Sequence, residues 1–155
     1  MDTAAAKPEI ENLGVHDCWR YLRSTSLCRV AFTSGETVEI FPANYVPTNG
    51  TLLIRTGEGS KLGALPGRTV VAVETDGMNQ YGTIAWSVVV KGQAAIVTDT
   101  EEALDAMDAG LSPWQPGQKN ILIRITPADI SGRRFVIAPP THWWPPLDAA
   151  TGETA

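Results

Sequence analysis

The run Cys28-Arg29-Val30-Ala31-Phe32-Thr33, the punctuation Ser34-Gly35-Glu36 and the run Thr37-Val38-Glu39-Ile40-Phe41-Pro42-Ala43-Asn44-Tyr45-Val46 decide the fold of this 155-residue chain. Two segments rich in β-branched and aromatic residues, parted by three residues with a central glycine, predict an antiparallel hairpin, since glycine takes the positive φ of a tight turn without steric cost. Asn49-Gly50 is a second hairpin signal and leads into residues 51–56, which makes three successive antiparallel strands. Pro42 has no N–H for a ladder, so it marks a bulge or an edge on the second strand, where pairing relaxes and a ligand can approach.

Working outward, Val15, Cys18, Trp19 and Leu22 recur at helical spacing between Gly14 and Ser24 and predict a short amphipathic helix. Downstream, the glycine-rich segment 57–65, stopped by Pro66-Gly67, predicts a loop opening a single helical turn. Strands follow at 69–76 and 83–98, the second bending at Gly92. Asp99-Thr100-Glu101-Glu102 caps a helix running to about Ala109, and 120–125 and 129–137 are two closing strands joined by Thr126-Pro127. Six or more strands with few, short helices predict a mostly β protein whose antiparallel sheet closes, wholly or partly, into a barrel and so removes its exposed edges. Residues 10–147 form one domain in this reading, and 1–9 and 148–155 are flexible tails with nothing to bury.

Composition agrees. Val, Ile and Thr make up about a quarter of the chain, and 14 Gly with 11 Pro punctuate many short segments. A chain of this length buries enough surface to fold without disulfides or a structural metal. Twelve Lys and Arg against 17 Asp and Glu give a net charge of −5, with no three cations clustered, which argues against nucleic acid as a partner. No segment approaches the roughly 20 apolar residues of a membrane span, and residues 1–9 have no apolar run of signal-peptide length, so a cytoplasmic location is expected. Cys18 and Cys28 lack metal-ligand spacing and read as buried free thiols.

The strongest chemical signal is Arg55-Thr56-Gly57-Glu58-Gly59-Ser60-Lys61. A strand end delivers a guanidinium and a hydroxyl, glycines admit close approach of a ligand, and Ser60 and Lys61 open a helical turn: these are the parts of a phosphate site. An ordinary strand-to-helix connection with solvated charges is the competing reading, since the spacing is neither GxxxxGK[ST] nor GxGxxG. His16 and His142 belong to no hydrolase or zinc motif and read as surface or packing residues. Glu74 and Asp76 share one strand face and read as solvated carboxylates at a strand end, with an acid/base pair as the alternative. Trp86-Ser87 lies in an apolar strand, and Trp143 and Trp144 lie near the end of the chain; such rings pack a core or flank a planar cofactor.

The order of these segments resembles the pyridoxamine 5'-phosphate oxidase-like FMN-binding split-barrel family, in particular its small flavin-nucleotide-binding branch. The resemblance runs from about Cys18 to Arg134 through Cys18-Trp19-Arg20-Tyr21-Leu22, Arg29-Val30-Ala31-Phe32, Pro42-Ala43-Asn44-Tyr45-Val46, Ile54-Arg55-Thr56-Gly57-Glu58-Gly59-Ser60-Lys61-Leu62, Val73-Glu74-Thr75-Asp76-Gly77, Ala85-Trp86-Ser87 and Ile130-Ser131-Gly132-Arg133-Arg134. It implies a Greek-key-like split barrel, a homodimer, and one FMN in each of two clefts at the subunit interface. By the same resemblance Arg55, Thr56, Ser60 and Lys61 hold the phosphate, the strand through Asn44 and Tyr45 lines the isoalloxazine, and Trp86 and Ser87 lie near the cofactor from either subunit. The implied activity is that of a flavin-dependent oxidoreductase on a small molecule. A deazaflavin-dependent reductase and a non-catalytic flavin carrier are the alternatives. Arg133-Arg134-Phe135 stands where the vitamin B6 oxidases of the family carry Arg-Leu-His, which argues against that substrate.

Overall fold

The computed structural model describes residues 10–57, 59, 61–64, 67–98 and 121–137. The expected tails, the helix over 99–109, His142, Trp143, Trp144 and Ser60 lie outside the described residues. The elements run β1 (Ile10–Asn12), α1 (Val15–Arg23), β2 (Leu27–Ser34), β3 (Thr37–Thr48), β4 (Thr51–Thr56), α2 (Lys61–Ala64), β5 (Thr69–Met78), β6 (Ile84–Ile96) and β7 (Ile121–Val136).

Both predicted hairpins form where the turn chemistry places them. Gly35 has φ +61° between β2 and β3, and Asn49 and Gly50 have φ +49° and +73° between β3 and β4, the paired positive values a two-residue hairpin turn needs. The sheet order is β1-β7-β4-β3-β2-β5-β6, and a further pairing of β6 with β7 closes it into an antiparallel barrel. Side chains alternate: Cys28, Val30 and Phe32 of β2 point inward, as do Val71, Val73 and Thr75 of β5 and Val88 and Val90 of β6. With Leu52, Ile54, Ile123 and Ile125 they fill the interior. Helix α1 closes one end by burying Cys18 and Leu22, while Ser24 stops it, its N–H and its hydroxyl both donating to the Tyr21 carbonyl.

One expectation needs correction. The segments 120–125 and 129–137 are one strand, β7. Lys91 pairs with Asp129 and Gly92 with Pro127, so Ala128 is an extra residue and β7 bulges there without ending. A bulge tolerates the missing N–H of Pro127, and Gly92 is required opposite it, because a Cβ at Gly92 would lie 2.1 Å from the Thr126 carbonyl oxygen. At Pro42 the edge alternative holds: Pro42 sits in register opposite Arg29, and among the described residues no strand pairs with the other edge of β3 there.

That edge defines the split. Strand β3 pairs with β2 over residues 37–44 and with β4 only from Tyr45 to Thr48. Among the described residues, no strand covers the second edge of residues 37–44.

Candidate functional site

The last β3–β4 pair is Tyr45 with Ile54. One step further along the parting strands stand Asn44 and Arg55, with Thr56 beyond, so the split opens where the sequence predicted ligand-binding residues. Strand β4 leads through the glycine-rich loop to α2, whose Leu62 is buried against the barrel core. Lys61, the first residue of α2, reaches back across the split to β3: its Nζ lies 2.6 Å from Oε1 of Glu39. The Thr37 hydroxyl is 3.3 Å from the same oxygen. The Lys61 ammonium, more than the Thr37 hydroxyl, holds the Glu39 carboxyl below the usual carboxylate range. The backbone edge of residues 37–44 is therefore flanked by Arg55 at one end and Lys61 at the other.

Not every predicted residue joins this group. Thr56 is buried at the end of β4, and Arg55 is half-buried. The Asn44 side-chain amide donates to the Ser26 carbonyl (3.1 Å), which holds it toward β2. The Tyr45 side chain points into the core, 1% exposed, and its hydroxyl donates to the Leu22 carbonyl at 2.6 Å. Burial pushes its phenol well above the ordinary range. Only the Tyr45 backbone can border the split.

Trp86 and Ser87 lie elsewhere in the chain. Trp86 stacks on Tyr21 of α1, with ring centroids 4.6 Å apart and planes 26° from parallel. Ser87 pairs with Asp76 on one side and Arg133 on the other. Strand β6 is three places from β3 in either direction round the barrel. Within one chain Ser87 and the split do not meet.

The sequence reading missed two partnerships. Glu39 was no candidate, because nothing local links it to Lys61, 22 residues on. Glu74 and Asp76 are not at a strand end, since β5 continues to Met78. Both accept from Nη1 of Arg29 on the neighbouring strand, at 2.9 and 3.1 Å. Glu74 nevertheless has a raised pKa, because burial and the adjacent Asp76 outweigh Arg29. The signal for this triad lay in the strand register, Arg29 opposite Glu74.

As expected, both cysteines are buried free thiols. Burial pushes Cys28 up to about 12, which removes it as a thiolate nucleophile at neutral pH. Among the described residues no group of His, Cys, Asp and Glu is arranged to hold a metal, and no helix is long and apolar enough to cross a membrane. A cavity of about 510 Å³ lies between Arg68 and the neighbouring parts of β6 and β7; its described lining includes Gln93, Arg124 and Thr126 and none of the predicted site residues.

Comparison with known proteins matches the same span. A protein of Corynebacterium glutamicum, named after pyridoxamine 5'-phosphate oxidase, superposes with a TM-score of 0.74 at 35% identity, over 83% of this chain and 99% of that one. The FAD binding protein from Mycobacterium smegmatis superposes with a TM-score of 0.69 at 36% identity, over 81% and 98%. An uncharacterized protein of Mycobacterium tuberculosis is 37% identical over 89 residues, 57% of this chain and 79% of that protein. The family model for pyridoxamine 5'-phosphate oxidase matches residues 15–134, all but the first strand and the end of the barrel. With this barrel, this split and this match, the chain belongs to the pyridoxamine 5'-phosphate oxidase family.

Proposed function

We propose that this chain is a flavin-binding protein and acts as an oxidoreductase, holding FMN, or the FMN half of a larger flavin, in the split between β3 and β4. One observation carries the reading: among the described residues no strand pairs with the second edge of residues 37–44, which runs between Arg55 and Lys61. Outward N–H and C=O groups on such an edge match a planar heterocycle whose rim alternates donors and acceptors, and a flanking cation suits a phosphate. The flavin named for the Mycobacterium smegmatis relative, at 36% identity, supports the same ligand.

A bound flavin would supply hydride or electron transfer itself. The chain's part is to bind and orient. Arg55 and Lys61 are the cations offered to the phosphate, Ser60 adds a hydroxyl, and the β3 backbone fixes the ring plane against the strand. The same reading takes the chain as a homodimer. The outer face of β2, β3 and β5 carries Val38, Ile40 and Val70, each about 70% exposed, on the two strands that flank β2. Such a face suits a second copy.

The test is direct. Purified protein titrated with FMN and FAD should quench flavin fluorescence and carry absorbance near ~450 nm through gel filtration. A colourless protein that quenches neither overturns the reading. Bound flavin that no pyridine nucleotide reduces, and that passes no electrons to quinones or nitro compounds, removes the oxidoreductase part and leaves a flavin carrier.

A further inference from the structure

We propose that Glu39 is a specificity-determining residue of the split: it discriminates against a flavin ending in a phosphate monoester and favours one whose ribityl phosphate is substituted on both sides. This rests on the placing of a flavin phosphate at Arg55 and Lys61 described above.

The observation is the pairing of Lys61 with Glu39. A cation at the first residue of α2 is the natural anchor for a phosphate, yet here its Nζ is 2.6 Å from a carboxylate oxygen on β3. That oxygen is also within 3.3 Å of the Thr37 hydroxyl, and the Glu39 side chain is only 29% exposed. The carboxylate is thus fixed beside the ammonium, and it stays ionised at neutral pH because Lys61 stabilises its charged form. Any phosphate that meets the Lys61 ammonium shares it with this negative charge.

The charge of the phosphate then matters. A terminal monoester, as in FMN, carries about −1.5 to −2 at pH 7, because its second ionisation lies near 6. A phosphodiester carries a single charge at that phosphate. The monoester gains nothing for its extra charge from a lysine already neutralised by Glu39, and it is the costlier anion to remove from water. Repulsion from Glu39 scales with the same charge. Arg55 remains for either ligand. The deazaflavin coenzyme presents a ribityl phosphodiester and FAD a ribityl pyrophosphate diester, each with one charge at the ribityl phosphate, and they are the two sources of the favoured chemistry.

The experiment compares dissociation constants of FMN, FAD, the deazaflavin coenzyme and phosphate-free riboflavin for the wild-type chain and for Glu39→Gln. Glutamine keeps the shape and the hydrogen bond from Lys61 but removes the charge. Glu39→Ala is measured in parallel, with circular dichroism to establish that each variant folds. The expected result is that FMN tightens about tenfold, or about 1.4 kcal/mol, while the two diesters move less than about threefold and riboflavin does not move. The wild-type chain should prefer one of the diesters to FMN, and the titrations tell which. Equal changes for FMN and the diesters, or weaker FMN binding by both variants, overturn the proposal and leave Glu39 as a tie between α2 and β3. If the wild-type chain binds no member of the series, the flavin reading itself fails, and a monoester-specific effect is then distinguishable from it by its absence in every column.

Discussion

Tyr45 and Ile54 form the last pair that β3 makes with β4, and beyond them the two strands part between Asn44 and Arg55. The cause is a divided allegiance: β3 stays with β2 down to the pair Thr37 and Ser34, while β4 leaves for the loop to α2. An exposed strand edge is normally a hazard for aggregation. Here the ion pair of Lys61 and Glu39 stands beside it.

Replacement of Lys61 by Ala should weaken flavin binding by about 1–3 kcal/mol, the size of a charge-assisted hydrogen bond, as read by fluorescence titration. Folding should hardly respond, because the Lys61 and Glu39 side chains are 65% and 29% exposed and surface ion pairs contribute little. An unchanged flavin affinity would take Lys61 out of the site.

Glutamate at Ile40 should break the homodimer. Ile40 is 67% exposed on β3, level with Ala31 and Ala72 on the adjoining strands, so a charge there faces a partner and not the chain's own core. Light scattering should give half the wild-type mass with an unchanged circular dichroism spectrum. Flavin affinity should fall with it if the partner completes the cleft. A wild-type chain already monomeric at micromolar concentration defeats the dimer proposal.

Tyr45→Phe separates a core role from a cofactor role. The hydroxyl is buried and donates to the Leu22 carbonyl at 2.6 Å, tying α1 to the barrel. Its loss leaves that acceptor unsatisfied, and chemical denaturation should show a cost of about 1–3 kcal/mol. Flavin affinity should stay within about twofold, since no Tyr45 side-chain atom borders the split; a large loss of affinity at full stability would return the residue to the ligand.

Glu74 makes a pH prediction. Burial and Asp76 raise its folded pKa above the ordinary 4.5, so the folded state holds a proton that the unfolded state releases. Its contribution therefore declines as pH rises from the unfolded value through the folded one. Glu74→Gln should gain stability relative to wild type between pH 4 and pH 7 in paired urea titrations. A difference that shrinks over that interval would mean that the attraction of Arg29 outweighs burial.

The sequence by itself determined the local structure and the chemistry on offer. Alternation in 28–33 and 37–46 set which side chains enter the core, Gly35 and Asn49-Gly50 set the hairpins, and β4 begins and ends where its residues predicted. Arg55, Thr56, Ser60 and Lys61 were recognisable because their residue types suit a phosphate and lie within seven positions. Only the tertiary structure decided what these residues face. That β3 abandons β4 after Tyr45, that Thr126-Pro127 is a bulge inside one strand, that Tyr45 turns its hydroxyl inward, and that Glu39 neutralises Lys61 all depend on strand register between distant segments. Register is a property of the closed sheet. Side-chain period and turn residues constrain it locally, but the pairing partner across the barrel is chosen by the packing of the whole core.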